Sequence, residues 1–450
     1  MALAIVLVLL VLGSILFHFM SPWWFTPIAS NWSTIDDTIT ITFWVTGFVF
    51  AAANLFMAYC VVRYRYRKNR QAHYEPENKK LEWWLISLTA VGIAAMLAPG
   101  LFVWAHFVNP PKDAMVFEVV GQQWRWSYRF PGKDGVLGSV NTRHISATNP
   151  LGINPDDPAG QDDLVIDNPV LHLPLGKPVK ALLRSKDVLH DFDVPQFRVK
   201  MDMVPGQVTY FWLTPTRTGA FEVLCQELCG VAHFAMRGLV VVEPEAEFKN
   251  WLNQQSTFAQ TQQPRTDDLL AGKTAFAVCS SCHGAAGEGN DAQHAPKLAG
   301  QSAAYLKRQL ENFKTERRGF HALDTFGKQM APMAATLTDA PAVDNVVAYI
   351  ETLPDTRVAT TVHGDIEKGR ALYTTCGICH GNDGQGNFGQ GAPRLAGMND
   401  WYMATQLNNF KAGIRGTHPA DSYGSQMRFM AAILNNPQSL DDLLAYVNTL

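Results

Sequence analysis

Surplus charge of either sign is what this chain has least of. Over 450 residues, 37 Lys and Arg stand against 40 Asp and Glu, a net charge of −3. Such a balance gives no basic surface for a phosphate backbone and argues against nucleic acid as a partner. Cysteine is scarce as well. Six of the seven fall in tight pairs, 225/229, 279/282 and 376/379. Each pair has a chemical use of its own, so no disulfide framework is implied. Cys60 is left over inside an apolar run and reads as a small buried hydrophobe. The length exceeds what one core serves, so several domains are expected.

Long apolar runs, by contrast, are plentiful at the start. Residues 3–20, 39–62 and 83–107 each suffice to span a bilayer as a helix. No positive charge precedes the first run and no small-x-small site follows it cleanly, which favours a retained helix over a cleaved signal. The loop 21–38 has no Lys or Arg and carries Asp36 and Asp37. The loop after the second run carries Arg63, Arg65, Arg67, Lys68, Arg70, Lys79 and Lys80. The positive-inside rule puts that basic loop in the cytoplasm and everything after the third helix outside. Trp23, Trp24, Trp83 and Trp84 sit where interfacial aromatic belts belong. His18 and His106, toward segment ends, read as snorkelling or capping residues.

From about Met115 to Val242 the pattern changes to short β-rich runs broken by Gly and Pro, the mark of a β-sandwich or barrel. Residues 134–163, rich in Gly, Asp and Pro, read as a surface insertion. Trp124, Trp126 and Tyr128 recur at period two, as on one strand face; such a stripe is most often core packing. The domain ends in CQELCGVAHFAM, with Cys225, Glu227, Cys229, His233 and Met236. Two thiolates, an imidazole and a thioether select a soft metal such as copper. Two Cys invite a second copper bridged by both sulfurs, and a second imidazole is needed; His190 in VLHDFDVP is the best placed. The rival is a structural zinc on two Cys and two His, which explains neither the Met nor the crowding of donors in one loop.

After Trp251 the chain becomes polar and Gln-rich and reads as a flexible linker. Beyond it stand CSSCH (Cys279, Cys282, His283) and CGICH (Cys376, Cys379, His380). C-x-x-C-H is the attachment signature of c-type haem. The segment repeats at an offset of 97: Pro296/Pro393, Phe313/Phe410, Met330/Met427 and Tyr349/Tyr446 all coincide. A duplicated domain of amphipathic helices follows. Each iron needs a sixth ligand. Met330 and Met427 are preferred, with Met333 and Met430 as alternatives. His321 and His418 are rivals, and a Met/His pair would raise the potential.

Taken together, these residues resemble subunit II of the haem-copper respiratory oxidases, whose dinuclear copper centre is called CuA, extended by two fused cytochrome c domains. The expected fold class is multidomain: an α-helical membrane anchor (1–108), an all-β cupredoxin-like sandwich (109–245), a linker (246–266), and two all-α cytochrome c domains (267–354 and 355–450). The resemblance implies His190, Cys225, the Glu227 carbonyl, Cys229, His233 and Met236 as the copper ligands. It also implies Trp124 as the point where cytochrome c delivers electrons, and Glu82 as an aid to proton uptake by subunit I. Lys200 and Asp202 would face subunit I, with the Glu227 carboxylate reaching a magnesium ion there. The implied function is passage of electrons from cytochrome c through two haems c and CuA to oxidase subunit I, in the bacterial inner membrane with the copper and haem domains periplasmic. The apolar runs hold no His cluster, so the oxygen-reducing site, and the proton pumping tied to it, would lie on that partner. Other readings are the input subunit of a CuA-containing nitric oxide reductase, or a membrane-tethered dihaem carrier.

Overall fold

The computed structural model describes residues 1–450 except 22–24, 69, 72–75, 147, 167 and 264–266, so Trp23 and Trp24 lie outside the described residues. Three helices lead: α1 (Ala2–Met20), α2 (Ser33–Arg63) and α3 (Lys79–Phe107). All three are long and apolar enough to cross a membrane, and most of their large apolar side chains are uncovered by protein, as a lipid-facing surface requires. Helix α2 begins six residues before the apolar run does. The cause is tertiary: Trp32 is fully buried, donating from Nε1 to the Trp212 carbonyl at 2.9 Å, and Asp36 pairs with Arg198 at 2.6 Å. His106 closes this aromatic joint, with ring centroids 5.4 Å from Trp32 and 5.1 Å from Trp212.

Ten strands follow: β1 (Met115–Gln122), β2 (Arg125–Phe130), β3 (Leu164–Ile166), β4 (Val170–Pro174), β5 (Val179–Ser185), β6 (His190–Asp193), β7 (Lys200–Met203), β8 (Thr209–Leu213), β9 (Gly219–Cys225) and β10 (Arg237–Glu243). They form two five-stranded sheets, ordered β3-β2-β1-β5-β8 and β4-β10-β9-β6-β7. Strand β5 alternates buried and half-buried residues along its length, the period of a strand with one face inward. Trp126 and Tyr128 meet Phe192 of the other sheet edge-on, at 5.2 and 6.4 Å. Trp124 departs from the expected stripe: β2 starts one residue later, and Trp124 lies in the turn before it. The opposite face of β2 is buried too. Arg129 pairs there with Glu118 (3.0 Å) and Asp163 (2.8 Å), and Arg184 joins Glu118 at 3.1 Å.

The region expected as an insertion is anchored rather than loose. Leu151 and Ile153 share a small core with Val120 and Phe258. The described part of the expected linker is also ordered. Helix α4 (Glu245–Asn253) buries Phe248, and Trp251 stacks on His172 at 4.3 Å. Helix α5 (Phe258–Thr261) opens with a Thr257/Gln260 capping box. Polar composition suggested flexibility, but three aromatic side chains outweigh it by burying apolar area on the sandwich.

The repeats are α6 (Leu269–His283), α7 (Ala303–Lys314), α8 (Thr325–Ala335) and α9 (Ala340–Glu351), then α10 (Ile366–His380), α11 (Asp400–Lys411), α12 (Ser422–Ala431) and α13 (Pro437–Val447). In each, the first and last helices cross where glycine allows close approach. A Cβ on Gly272 would overlap the Asn345 carbonyl, and one on Gly369 the Asp442 carbonyl.

Candidate metal centre and haem cavity

The pairing of β6 with β9 sets Phe192 opposite Cys225. This register brings His190, the first residue of β6, to the sheet end where β9 runs out at Cys225. The loop after β9 folds back through a short 3-10 turn, His233–Ala235, and returns His233 and Met236 to the same place. Cys225 Sγ lies 3.7 Å from Cys229 Sγ, 3.9 Å from His190 Nδ1 and 3.3 Å from the Glu227 carbonyl oxygen. Cys229 Sγ lies 3.5 Å from His233 Nδ1 and 3.8 Å from Met236 Sδ. The structure thus gathers all six donors expected from the sequence. His190, Cys225 and Cys229 are buried, with ligand atoms within 4.8 Å of one another.

The two thiols share a proton unequally. Their mutual hydrogen bond, opposed by burial and aided by His190, lowers the Cys225 thiol. The same shared proton, with burial, pushes Cys229 up. Asp187, which the sequence reading passed over, accepts from His190 Nε2 at 2.8 Å. Burial opposes protonation of His190, and that carboxylate together with Cys225 outweighs it, so the imidazole pKa is raised. A carboxylate behind a ligating imidazole fixes the ring and leaves the other nitrogen for metal. Its only sequence signal is Asp-x-x-His. Lys200 stands on β7, 3.9 Å from the Asp191 carboxylate, which burial raises to about 7. Glu227 is half-buried at the loop surface, and Glu82 is exposed in the first turn of α3.

Trp124 touches the centre from the other side. Its Nε1 donates to the Cys229 carbonyl at 3.2 Å, beside Gln123 Nε2 at 2.7 Å. Gly230 makes room, since a Cβ there would press on both side chains at φ +122. Trp124 is only 4 % exposed.

The two C-x-x-C-H motifs each close a helix, α6 and α10, which end at Gly284 and Gly381 with a positive φ that glycine adopts readily. His283 Nδ1 donates to the Pro296 carbonyl at 2.7 Å and His380 Nδ1 to Pro393 at 2.8 Å. Burial lowers both imidazoles, so each presents a neutral, oriented Nε2. One continuous cavity is lined by Cys279, Cys282 and His283, by Cys376, Cys379 and His380, and by Met330, Met333, Met427 and Met430. His321 and His418 do not line it; each Nδ1 instead accepts a backbone N–H, from Leu323 and Ala420. Arg308, Arg318, Arg394 and Arg415 line it as well, and each has a buried Nε with no hydrogen-bond partner among the described residues. A porphyrin carrying carboxylates would satisfy those donors.

Cytochrome C oxidase subunit II, periplasmic domain, is the family description that matches residues 115–244, and Cytochrome c matches residues 269–354 and 366–450. Over 259 residues the chain is 65% identical to an alternative cytochrome c oxidase subunit 2 from Bradyrhizobium diazoefficiens, covering 58% of this chain and 94% of that one. The chain belongs to the cytochrome c oxidase subunit II family. A subunit 2 from Cereibacter sphaeroides is 30% identical over 229 residues, covering 47% of this chain and 75% of the relative. Among solved structures, reduced cytochrome c4 from Pseudomonas stutzeri is 29% identical, with TM-score 0.34, covering 41% of this chain and 100% of that one. As a subunit II chain, this protein carries a copper-type β-domain and two haem c-type domains in one polypeptide.

Proposed function

We propose that this chain is the electron-input subunit of a cytochrome c oxidase and partners subunit I. In this reading 1–108 anchors it, 109–245 holds dinuclear copper, 246–266 connects, and 267–354 and 355–450 each hold one haem c. It would sit in the bacterial inner membrane with the copper and haem domains on the periplasmic side. The observation that carries the reading is the convergence of six soft and carbonyl donors, from His190 and the loop 225–236, on one buried spot. The Met236 thioether and the paired sulfurs suit copper better than a tetrahedral zinc.

When bound, the copper pair and the haems supply one-electron chemistry. The chain's own residues do the rest. Cys279, Cys282, Cys376 and Cys379 would anchor the porphyrins, and His283 and His380 would supply imidazoles to iron. Met330 and Met427 would supply thioethers to iron, with Met333 and Met430 on the same cavity wall as alternatives; the rival histidines do not line the cavity. Asp187 holds His190 in register, and the rigid sandwich keeps donors from moving as charge changes. The Glu227 carboxylate would meet magnesium, a hard ion that takes oxygen ligands, and Glu82 would help admit protons.

Replacing Cys225 and Cys229 by Ser in the assembled oxidase tests this. Oxygen consumption with reduced cytochrome c should cease while both haems still reduce. Unchanged turnover, or zinc in place of copper on metal analysis, rejects it. Assaying nitric oxide beside oxygen, and looking for a co-purifying subunit I, separates the reductase and lone-carrier readings.

A further inference from the structure

The two repeats share a fold but not a setting, and the 97-residue offset makes each a control for the other. Cys282 is exposed, whereas its counterpart Cys379 packs against the core that contains Trp124, Cys225 and Cys229. Met333 is 39% exposed, whereas its counterpart Met430 packs on the same core. Gln329 is exposed, whereas Gln426 is half-buried and donates from Nε2 to the Trp124 carbonyl at 2.7 Å. Helix α12 therefore lies on the metal-ligand loop, and α8 does not.

Further contacts agree. Phe429 meets Phe234, the residue after His233, edge-on at 6.1 Å, and Arg237 lies over the Phe429 ring at 5.4 Å. The Gly389 carbonyl accepts from Gln122 (2.8 Å) and Arg125 (2.9 Å). Among the described residues, the hydrogen bonds found between the β-domain and the repeats all end on the second repeat. The repeats themselves are locked by a crossed pair: Arg318 reaches Tyr402 and Gln406, and Arg415 reaches Tyr305 and Gln309.

We infer that the second repeat is the one that passes electrons to the Cys225/Cys229 site, across the contact of α12 with Trp124 and the ligand loop, and that the first repeat receives them from outside. This rests on the function proposed above. With both groups bound, one electron would leave the haem that His380 would hold and arrive at the metal that Cys225 and Cys229 would hold; no bond would form and no proton would move. The first repeat then refills the second, and reduced cytochrome c refills the first. Trp124, roofed by the second repeat, is an internal bridge and not a landing place for a soluble donor.

The test uses the full chain. Hydrogen exchange of residues 229–236 is compared in the parent, a Gln426→Ala/Phe429→Ala variant and a Gln329→Ala control. The double variant should exchange about tenfold faster in that loop, and the control should match the parent. Equal exchange in all three overturns the seating. After flash reduction of the haems, the double variant should reduce the copper site about tenfold more slowly, with haem-to-haem equilibration and haem content retained. An unchanged copper rate overturns the order. A parent chain that lacks a copper signal would count against the metal reading instead, and loop exchange would still decide the seating.

Discussion

Two carboxylates show how single residues shape this molecule. Asp187 adds nothing to the ligand set, yet it accepts from the His190 ring and so helps to fix it. Asp187→Ala should lower copper affinity by about 10–100-fold, read by competition with a chelator, while haem content stays unchanged. Glu118 lies between Arg129 and Arg184. Burial alone would raise its carboxyl; the two guanidiniums more than reverse this and hold it below the ordinary range. A folded value below the unfolded one means the stabilisation is present above the unfolded pKa and lost as pH falls through the folded value. Glu118→Gln leaves two cations short of their counter-charge, at a cost of about 3–5 kcal/mol at neutral pH. Thermal unfolding followed from pH 7 downward should show the gap to the parent closing on acidification. A gap that does not depend on pH would contradict the assignment.

Among the elements, helix crossings in the two repeats depend on matched glycines. Gly272→Ala and Gly369→Ala gain up to ~1 kcal/mol of helix propensity. Each nevertheless sets a methyl against a carbonyl of the facing helix, an overpacking cost of about 1–3 kcal/mol that a backbone neighbour cannot relieve by rotating away. Both variants should melt earlier, followed by loss of haem absorbance, and raised melting in either would show that the crossing has slack. The connector illustrates the limit of reading elements from composition. Its Gln-rich sequence resembles a solvated tether, but Phe248, Trp251 and Phe258 are spaced to meet the sandwich. Aromatic burial decides the matter, and only the facing surface reveals it.

For the molecule as a whole, the joint between repeats is electrostatic as well as hydrogen-bonded. Lys297, with a side chain only 1% exposed, reaches Asp355 at 2.6 Å, and Arg394 reaches the other oxygen of the same carboxylate. Burial opposes the ionised form of Asp355, and the two cations outweigh it, so its pKa is lowered. The tie is therefore present above the ordinary carboxylate pKa and fades below it. Asp355→Ala should cost about 1–3 kcal/mol and split the joint unfolding of the two repeats into separate transitions, seen by calorimetry. A single unshifted transition would show that the crossed Arg318 and Arg415 contacts suffice.

Much of this architecture was legible from residue order alone. Ligand chemistry lies in short motifs, so the thiolate loop, both haem signatures and the duplication could be read without coordinates, as could three spans from apolar length. Tertiary structure decided what depends on distant segments meeting. The start of α2 and the turn that carries Trp124 come from contacts more than a hundred residues apart. Asp187, only three residues from His190, gains its role because β6 brings that ring to the metal-ligand loop. Which methionines and histidines face the cavity is likewise decided by how the helices pack. The unequal setting of the two repeats is decided the same way: one sequence pattern fixes a fold, but which copy rests on the β-domain depends on the surface that each one meets.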